Sequence, residues 1–168
     1  CQGVVSDDQL IKYCLGGNIE AFRIIVERYE SRIASVIINM LGNCPEADDV
    51  GQETFIRLYK NLDRFKGNSS LVTYLTRIAI NLSINELKRR RRNNQRLERI
   101  NENHQNLIST NERERDSLLK VRIHKAIQEL EPKFRAVVVL RLIQEYSTRE
   151  TADILKIPQG TVLSRLAR

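Results

Sequence analysis

Seven glycines and three prolines in 168 residues, scarce strand-type alternation, and apolar residues recurring every three or four positions predict an all-α protein. The helical stretches fall into two groups separated by a polar run. The expected architecture is therefore two small helical domains joined by a polar linker, the C-terminal one a helix-turn-helix. With 41% hydrophobic and 29% charged residues the chain has the balance of a globular protein rather than a disordered one. Its formal net charge of +7 favours an anionic partner, nucleic acid first and an acidic membrane surface second.

Cys1, Cys14 and Cys44 stand far apart, no CxxC occurs, and neither His104 nor His124 lies at ligand spacing from them. This pattern argues against a zinc site or a disulfide framework and suits a reducing cytosol, so the expected location is cytoplasmic. No apolar run reaches membrane-span length and the N-terminus lacks a signal-peptide pattern, so direct membrane insertion is not expected. The start at Cys1 rather than Met is read as a trimmed or omitted natural start.

Ser6-Asp7-Asp8 predicts a helix cap before Gln9, Leu10, Ile11 and Tyr13, and Gly16-Gly17-Asn18 breaks that helix. A longer helix is expected from about Ile19 to Leu41, with Phe22, Ile25, Val26, Tyr29, Ile33, Val36, Ile37 and Met40 at helical spacing and Gly42-Asn43 ending it. Pro45 opens the next helix, and Glu46, Asp48 and Asp49 sit in its first turns, where carboxylates suit the positive end of the helix dipole. Val50, Phe55, Leu58, Tyr59 and Leu62 are the candidate buried side. Asp49, Gln52, Glu53, Ile56 and Lys60 form an opposite, mostly polar stripe. Gly51 is out of place mid-helix, where it costs about 1 kcal/mol relative to Ala. Read from spacing, the acidic residues serve capping and solubility, or they dock a basic protein surface.

Phe65 to Ser70 is a loop, with Ser69 or Ser70 capping the helix that follows. Its glycine and small polar side chains suit either a plain turn or a pocket for an unstacked base. The organising helix runs from Leu71 to Arg92. Leu71, Leu75, Ile78 and Leu82 make one apolar stripe and Ile80, Ile84 and Leu87 a second flank, so it should be gripped from two sides. What remains is a polar strip, Tyr74, Arg77, Asn81, Asn85 and Lys88, leading into Lys88-Arg89-Arg90-Arg91-Arg92. Such a strip either holds a nucleic-acid backbone while its polar groups touch bases, or is the solvated side of a core helix. Asn93 to Asp116 is polar and apolar-poor, a linker with partial helix. The domains are thus 1–92 and 117–168, with the linker at 93–116.

In the C-terminal part Leu118, Leu119, Ile123, Ala126, Ile127 and Leu130 form one apolar face, and Phe134, Val137, Val138 and Leu140 the next. Ser147-Thr148-Arg149-Glu150 is a capping box that starts a short helix with Ala152, Ile154 and Leu155. Lys156-Ile157-Pro158 turns, and a second helix begins near Gln159 and carries Thr161, Leu163, Ser164, Arg165 and Arg168. Two short helices around a tight turn, the second basic, are read as a DNA-reading helix-turn-helix, a plain helical hairpin being the alternative.

Taken together, DDVGQETFIRLYKNLDRF (48–65), TYLTRIAINLSINELKRRRR (73–92) and the run from Ala126 to Arg168, in this order and spacing, resemble the bacterial RNA polymerase sigma factors of the extracytoplasmic-function group, over nearly the whole chain. The resemblance implies a non-catalytic initiation factor that gives core RNA polymerase its promoter specificity and helps melt DNA. It needs no metal, cofactor or small-molecule substrate. It assigns Asp48, Asp49, Gln52, Glu53 and Phe55 to docking on the clamp coiled coil of the polymerase largest subunit, with the flap as a further contact. Asn68, Ser69, Tyr74, Arg77, Asn81 and Asn85 fall to the minus-ten element, where an unpaired base is captured, and Lys88, Arg89, Arg90 and Arg91 to its phosphates. Thr161, Leu163, Ser164, Arg165 and Arg168 fall to duplex at the minus-thirty-five element, and an anti-sigma factor is an expected partner. The chain departs from the family at Tyr74, where Trp is common, at Asn85, where Asp is usual, and at Leu163, where a cation is usual. It stops at Arg168 where further basic helix is usual, which is read as a truncated or partly disordered C-terminus. The rival readings are a stand-alone helix-turn-helix regulator, which leaves 48–65 and Asn81 unexplained, and a helical interaction module for an acidic partner.

Overall fold

Ser6 begins the fold with a complete capping box: its hydroxyl accepts from the Gln9 amide while the Gln9 side chain accepts from the Ser6 amide. This starts α1 (Asp7–Leu15), the first of eight α-helices in a computed structural model that describes residues 5–65, 67–98 and 115–168. Asn18 caps α2 (Ile19–Leu41) through the Ala21 amide, and Gly42 ends it at φ 84°, backbone that glycine adopts without strain. Pro45 opens α3 (Pro45–Lys60), followed by a 3-10 turn at Leu62–Arg64. Of the two candidate caps, Ser70 starts α4 (Leu71–Glu98), its hydroxyl accepting from the Thr73 amide. The helix runs six residues beyond Arg92, into the stretch expected to be linker. The centre of that stretch, 99–114, lies outside the described residues, as do Cys1, Lys66 and His104.

α5 (Arg115–Glu129) and α6 (Pro132–Val138) lead into a π-helical turn at Val139–Ile143, then α7 (Thr148–Leu155) and α8 (Gln159–Leu166). Leu118 and Leu119 belong to the part of α5 whose side chains are outside the described set. The Ser147–Glu150 capping box is present as expected, and Lys156 adopts the left-handed conformation at φ 56° that turns the chain from α7 into α8. Ala152 packs against Val137 and Val162, the small side chain that lets α7 and α8 approach. Every regular element among the described residues is helical.

α4 is the spine. Leu71, Leu75, Ala79 and Ile80 are fully buried against α2 and α3, and one continuous apolar core runs from Leu10 through these residues to Ile127, Leu140, Tyr146 and Ile154. The two halves therefore share a core. Polar struts reinforce it: Gln128 donates to the Asn39 carbonyl at 2.8 Å, Gln144 to Ser35 Oγ at 3.0 Å, and Thr76 and Tyr146 hydroxyls share a buried hydrogen bond of 2.9 Å. The π turn and the left-handed Glu145 (φ 58°) bend the chain so that Tyr146 returns onto α4. Some expected core residues lie elsewhere: Tyr59 is 52% exposed, its ring meeting Phe22 edge-on at 4.9 Å, while Thr54 takes the buried position on α3, and on α5 Ile123 and Ala126 are exposed while Ile127 is buried.

Candidate nucleic-acid and polymerase interfaces

On α4 the helical repeat sorts the polar strip by depth. Tyr74 is half-buried with its ring 5.3 Å from that of Phe65, Arg77 is half-buried with its Nε unpaired, and Asn81, Asn85 and Lys88 are exposed. From Tyr74 to Arg91 the strip extends about 25 Å at 1.5 Å rise per residue. At its N-terminal end Gly67, Ser69 and Ser70 line a cleft with Phe65, Leu71 and the start of α1. Asp7, Asp8 and Ile11 form the opposite wall; sequence reasoning saw in Asp7 and Asp8 only a cap. Asn68 is exposed beside it. Asp7 is already engaged, accepting from Arg28 at 2.6 Å and from Tyr29 at 2.5 Å. Burial, then the hydrogen bond and charge of Asp7, push the Tyr29 hydroxyl up to about 12.

The basic run does not act as one patch. Lys88 and Arg91 face one side, Arg89 and Arg92 another, where they line a concavity with Arg96. Arg90 turns into the fold, donating to the Leu41 carbonyl (3.1 Å), Cys44 Sγ (2.9 Å), Glu46 (3.1 Å) and Glu86 (3.1 Å). It ties the ends of α2 and α3 to α4 and is spent on structure. Arg89 pairs with Glu86 at 2.8 Å. Hydrogen bonding from Arg89, against the opposing effect of burial, and then from Arg90 holds the Glu86 carboxyl below its ordinary value.

Asp48, Gln52 and Phe55 line one wall of an apolar groove of about 650 Å³, with Gly51 and Ile56. The other wall is α2, through Val26, Glu30, Ile33, Ala34 and Ile38. Sequence reasoning missed that wall, for which the signal was α2's apolar residues on more than one face. Asp49 is exposed outside the groove and Glu53 pairs with Arg57 at 2.7 Å. The carboxylates thus flank an apolar slot, a shape suited to a helix with a basic edge.

On α8, Leu163 and Ser164 are exposed, and Thr161 is half-buried and accepts from the Ser164 hydroxyl through its carbonyl at 3.1 Å; Arg168, expected on this helix, is exposed but lies two residues beyond its end at Leu166. Arg165 is half-buried in a groove with Lys88 and Arg91 of α4 and Lys133 of α6. The two expected DNA surfaces meet there.

Comparison with known proteins gives this arrangement its place. Residues 25–93 match Sigma-70 region 2 and residues 120–168 match Sigma-70 region 4. The chain is 34% identical over 167 residues to the ECF RNA polymerase sigma factor SigW of Bacillus subtilis, covering 94% of this chain and 89% of that one. It is 32% identical over 171 residues to the RNA polymerase sigma-H factor of Pseudomonas aeruginosa, covering 96% and 89%. Its fold is that of the sigma factor RpoE of Bartonella quintana, solved in complex with the anti-sigma factor NepR (TM-score 0.68, 20% identity, 88% and 90% coverage). CnrH, solved with the cytosolic domain of CnrY, is similar as well (TM-score 0.66, 24% identity, 95% and 88% coverage). The fold and its matched regions define a non-enzymatic transcription initiation factor. The chain belongs to the Sigma-70 family of bacterial RNA polymerase sigma factors, in its extracytoplasmic-function group. It directs core RNA polymerase to promoters and takes part in opening them. No helix among the described residues is long and apolar enough to cross a membrane.

Proposed function

We propose that the work is divided between 1–92, which docks on polymerase and captures the melted minus-ten strand, and 117–168, which reads the minus-thirty-five duplex, with 93–116 as the tether. The observation that carries this reading is the strip on α4: an exposed run of Asn81, Asn85 and Lys88 joined at one end to the Gly67–Ser70 cleft and at the other to Arg91. A base swung out of the stack enters the cleft, where Ser69 and the Asp8 carboxylate offer acceptors for its pairing edge. Tyr74, its ring against Phe65 of the cleft wall, and Arg77 continue the strip, Lys88 and Arg91 follow the phosphates on one side, and Arg89 reaches them from the other. Arg90 contributes by holding α4 in place. The groove between α2 and α3 receives the clamp coiled coil of the largest subunit, with Asp49 and Glu53 meeting its basic edge, and the flap contacts the C-terminal half.

The closed arrangement cannot read both promoter elements. Elements centred about 25 base pairs apart lie about 85 Å apart at 3.4 Å per pair. A 168-residue compact chain has a radius of gyration of about 15 Å, hence a diameter of about 40 Å. The halves therefore separate on the promoter, and Arg165 leaves Lys88 and Arg91. The closed form suits capture by an anti-sigma factor in the cytoplasm, as both solved neighbours were captured with such a partner or with another protein's cytosolic domain.

Permanganate probing of unpaired thymines in complexes with core polymerase tests the assignment. Asn81→Ala should reduce reactivity in the bubble while polymerase affinity holds, and Asp49→Ala with Glu53→Ala should weaken polymerase binding instead. Full bubble reactivity with Asn81→Ala would remove that residue from the strand-capturing site.

A further inference from the structure

The recognition helix α8 carries an unusual leading face. Gly160, Leu163, Ser164 and Ala167 fall on one stripe at helical spacing and all are exposed. None is charged. A Cβ at Gly160 would meet nothing within 4 Å, so the helix presents open space there, with no neighbour to keep a backbone away. Leu163 stands at the centre of this stripe, 56% exposed.

Leu163 does no work inside the fold. The core between α7 and α8 consists of Val137, Ala152 and Val162, with Leu155, Ile157 and Leu166 packed against it. Arg165, two residues on, projects about 200° around α8 from Leu163, and Arg168 lies beyond the helix's last turn. Around Leu163 the face thus has no guanidinium or ammonium for the O6 and N7 acceptors of guanine, and its one amide, Gln159, stands a full turn before Leu163 at the start of the helix. Among the edges displayed in the major groove, the one apolar feature is the C5-methyl group of thymine.

We propose that Leu163 is a specificity-determining residue, selecting a thymine in the upstream duplex by packing on its C5-methyl group. The small neighbours Gly160, Ser164 and Ala167 let α8 approach closely enough for that contact. This rests on the assignment of α8 to the upstream element. Leu163 therefore sets one position of the sequence read, where a cation would have read guanine or a phosphate.

The test uses the full chain bound to core polymerase. Duplexes are selected from a pool randomised over the upstream region, and each thymine of the enriched sequence is then replaced singly by uracil, which removes only the methyl group. One replacement should weaken binding about fourfold, the loss expected for one buried methyl-sized group. Leu163→Ala should bind the uracil and thymine duplexes equally at that position, and Leu163→Lys should shift the selected base away from thymine. Equal binding of all uracil duplexes by the natural chain, or undiminished thymine preference in Leu163→Ala, would overturn the inference while leaving α8 as the reader. No enrichment of any upstream sequence would overturn the assignment of α8 itself, and the inference with it.

Discussion

Arg135 is the most consequential single side chain in the closed arrangement. It is 6% exposed, and its hydrogen-bond partners among the described residues include no carboxylate. Its guanidinium donates instead to the Met40 carbonyl at the end of α2 (2.5 Å), to the Leu130 carbonyl (3.0 Å), to Gln128 Oε1 (3.0 Å) and to the Gln128 carbonyl. These carbonyls belong to the negative ends of α2 and α5, so one cation closes two helix termini from opposite halves of the chain. Burial, then the charge of Arg90, pulls its pKa below the ordinary guanidinium value, which is the mark of a charge held without a counter-ion. Arg135→Met keeps the stem and removes the donors. Each acceptor left buried costs about 1–3 kcal/mol, but the helix-end carbonyls partly regain water, so a total of about 3–5 kcal/mol is expected. Urea unfolding followed by circular dichroism measures it directly. Arg135→Lys should recover only part of the loss, because one ammonium cannot span carbonyls that the planar fork reaches. A loss below about 1 kcal/mol in Arg135→Met would refute the idea that this side chain joins the halves.

Other perturbations follow from the same geometry. Gly51→Ala should raise stability by about 1 kcal/mol, or about 2–4 °C in the melting temperature, because the added methyl meets only Ile37 Cδ1 at 3.9 Å; calorimetry reads it. Ser147→Ala removes the acceptor for the Glu150 amide and should cost about 1 kcal/mol, seen as earlier amide exchange in α7. Glu86, with its folded pKa below 4.5, binds a proton less readily folded than unfolded. Its stabilisation is complete above that value and is lost as pH falls through the lower folded one. Glu86→Gln should therefore show a shallower fall in urea midpoint below pH 4.5 than the natural chain.

The helices were legible in the sequence because their signals are local. Asn18 and Gly42 bound α2, Pro45 starts α3, and the Ser147–Glu150 box starts α7 where expected. The packing of one half on the other was not, because its hydrogen bonds join residues 70 to 109 positions apart, Thr76 with Tyr146 and Ser35 with Gln144. No periodicity encodes such pairings. Arg90 shows the same limit on a smaller scale. Four consecutive arginines read alike in sequence, yet at 100° per residue they point in different directions, and one of them meets Cys44 and Glu46. Tyr59 was misplaced because α3 has two partly apolar faces, one against the core and one along the groove with α2.

The central claim is that this chain, joined to core polymerase, selects promoters. Run-off transcription of a fragmented genomic library by core enzyme with and without the purified chain tests it. The expected result is a small set of transcripts that require the chain and share two upstream sequence elements at fixed spacing. Transcripts unchanged by its addition, with no stable binding to core enzyme, would contradict it.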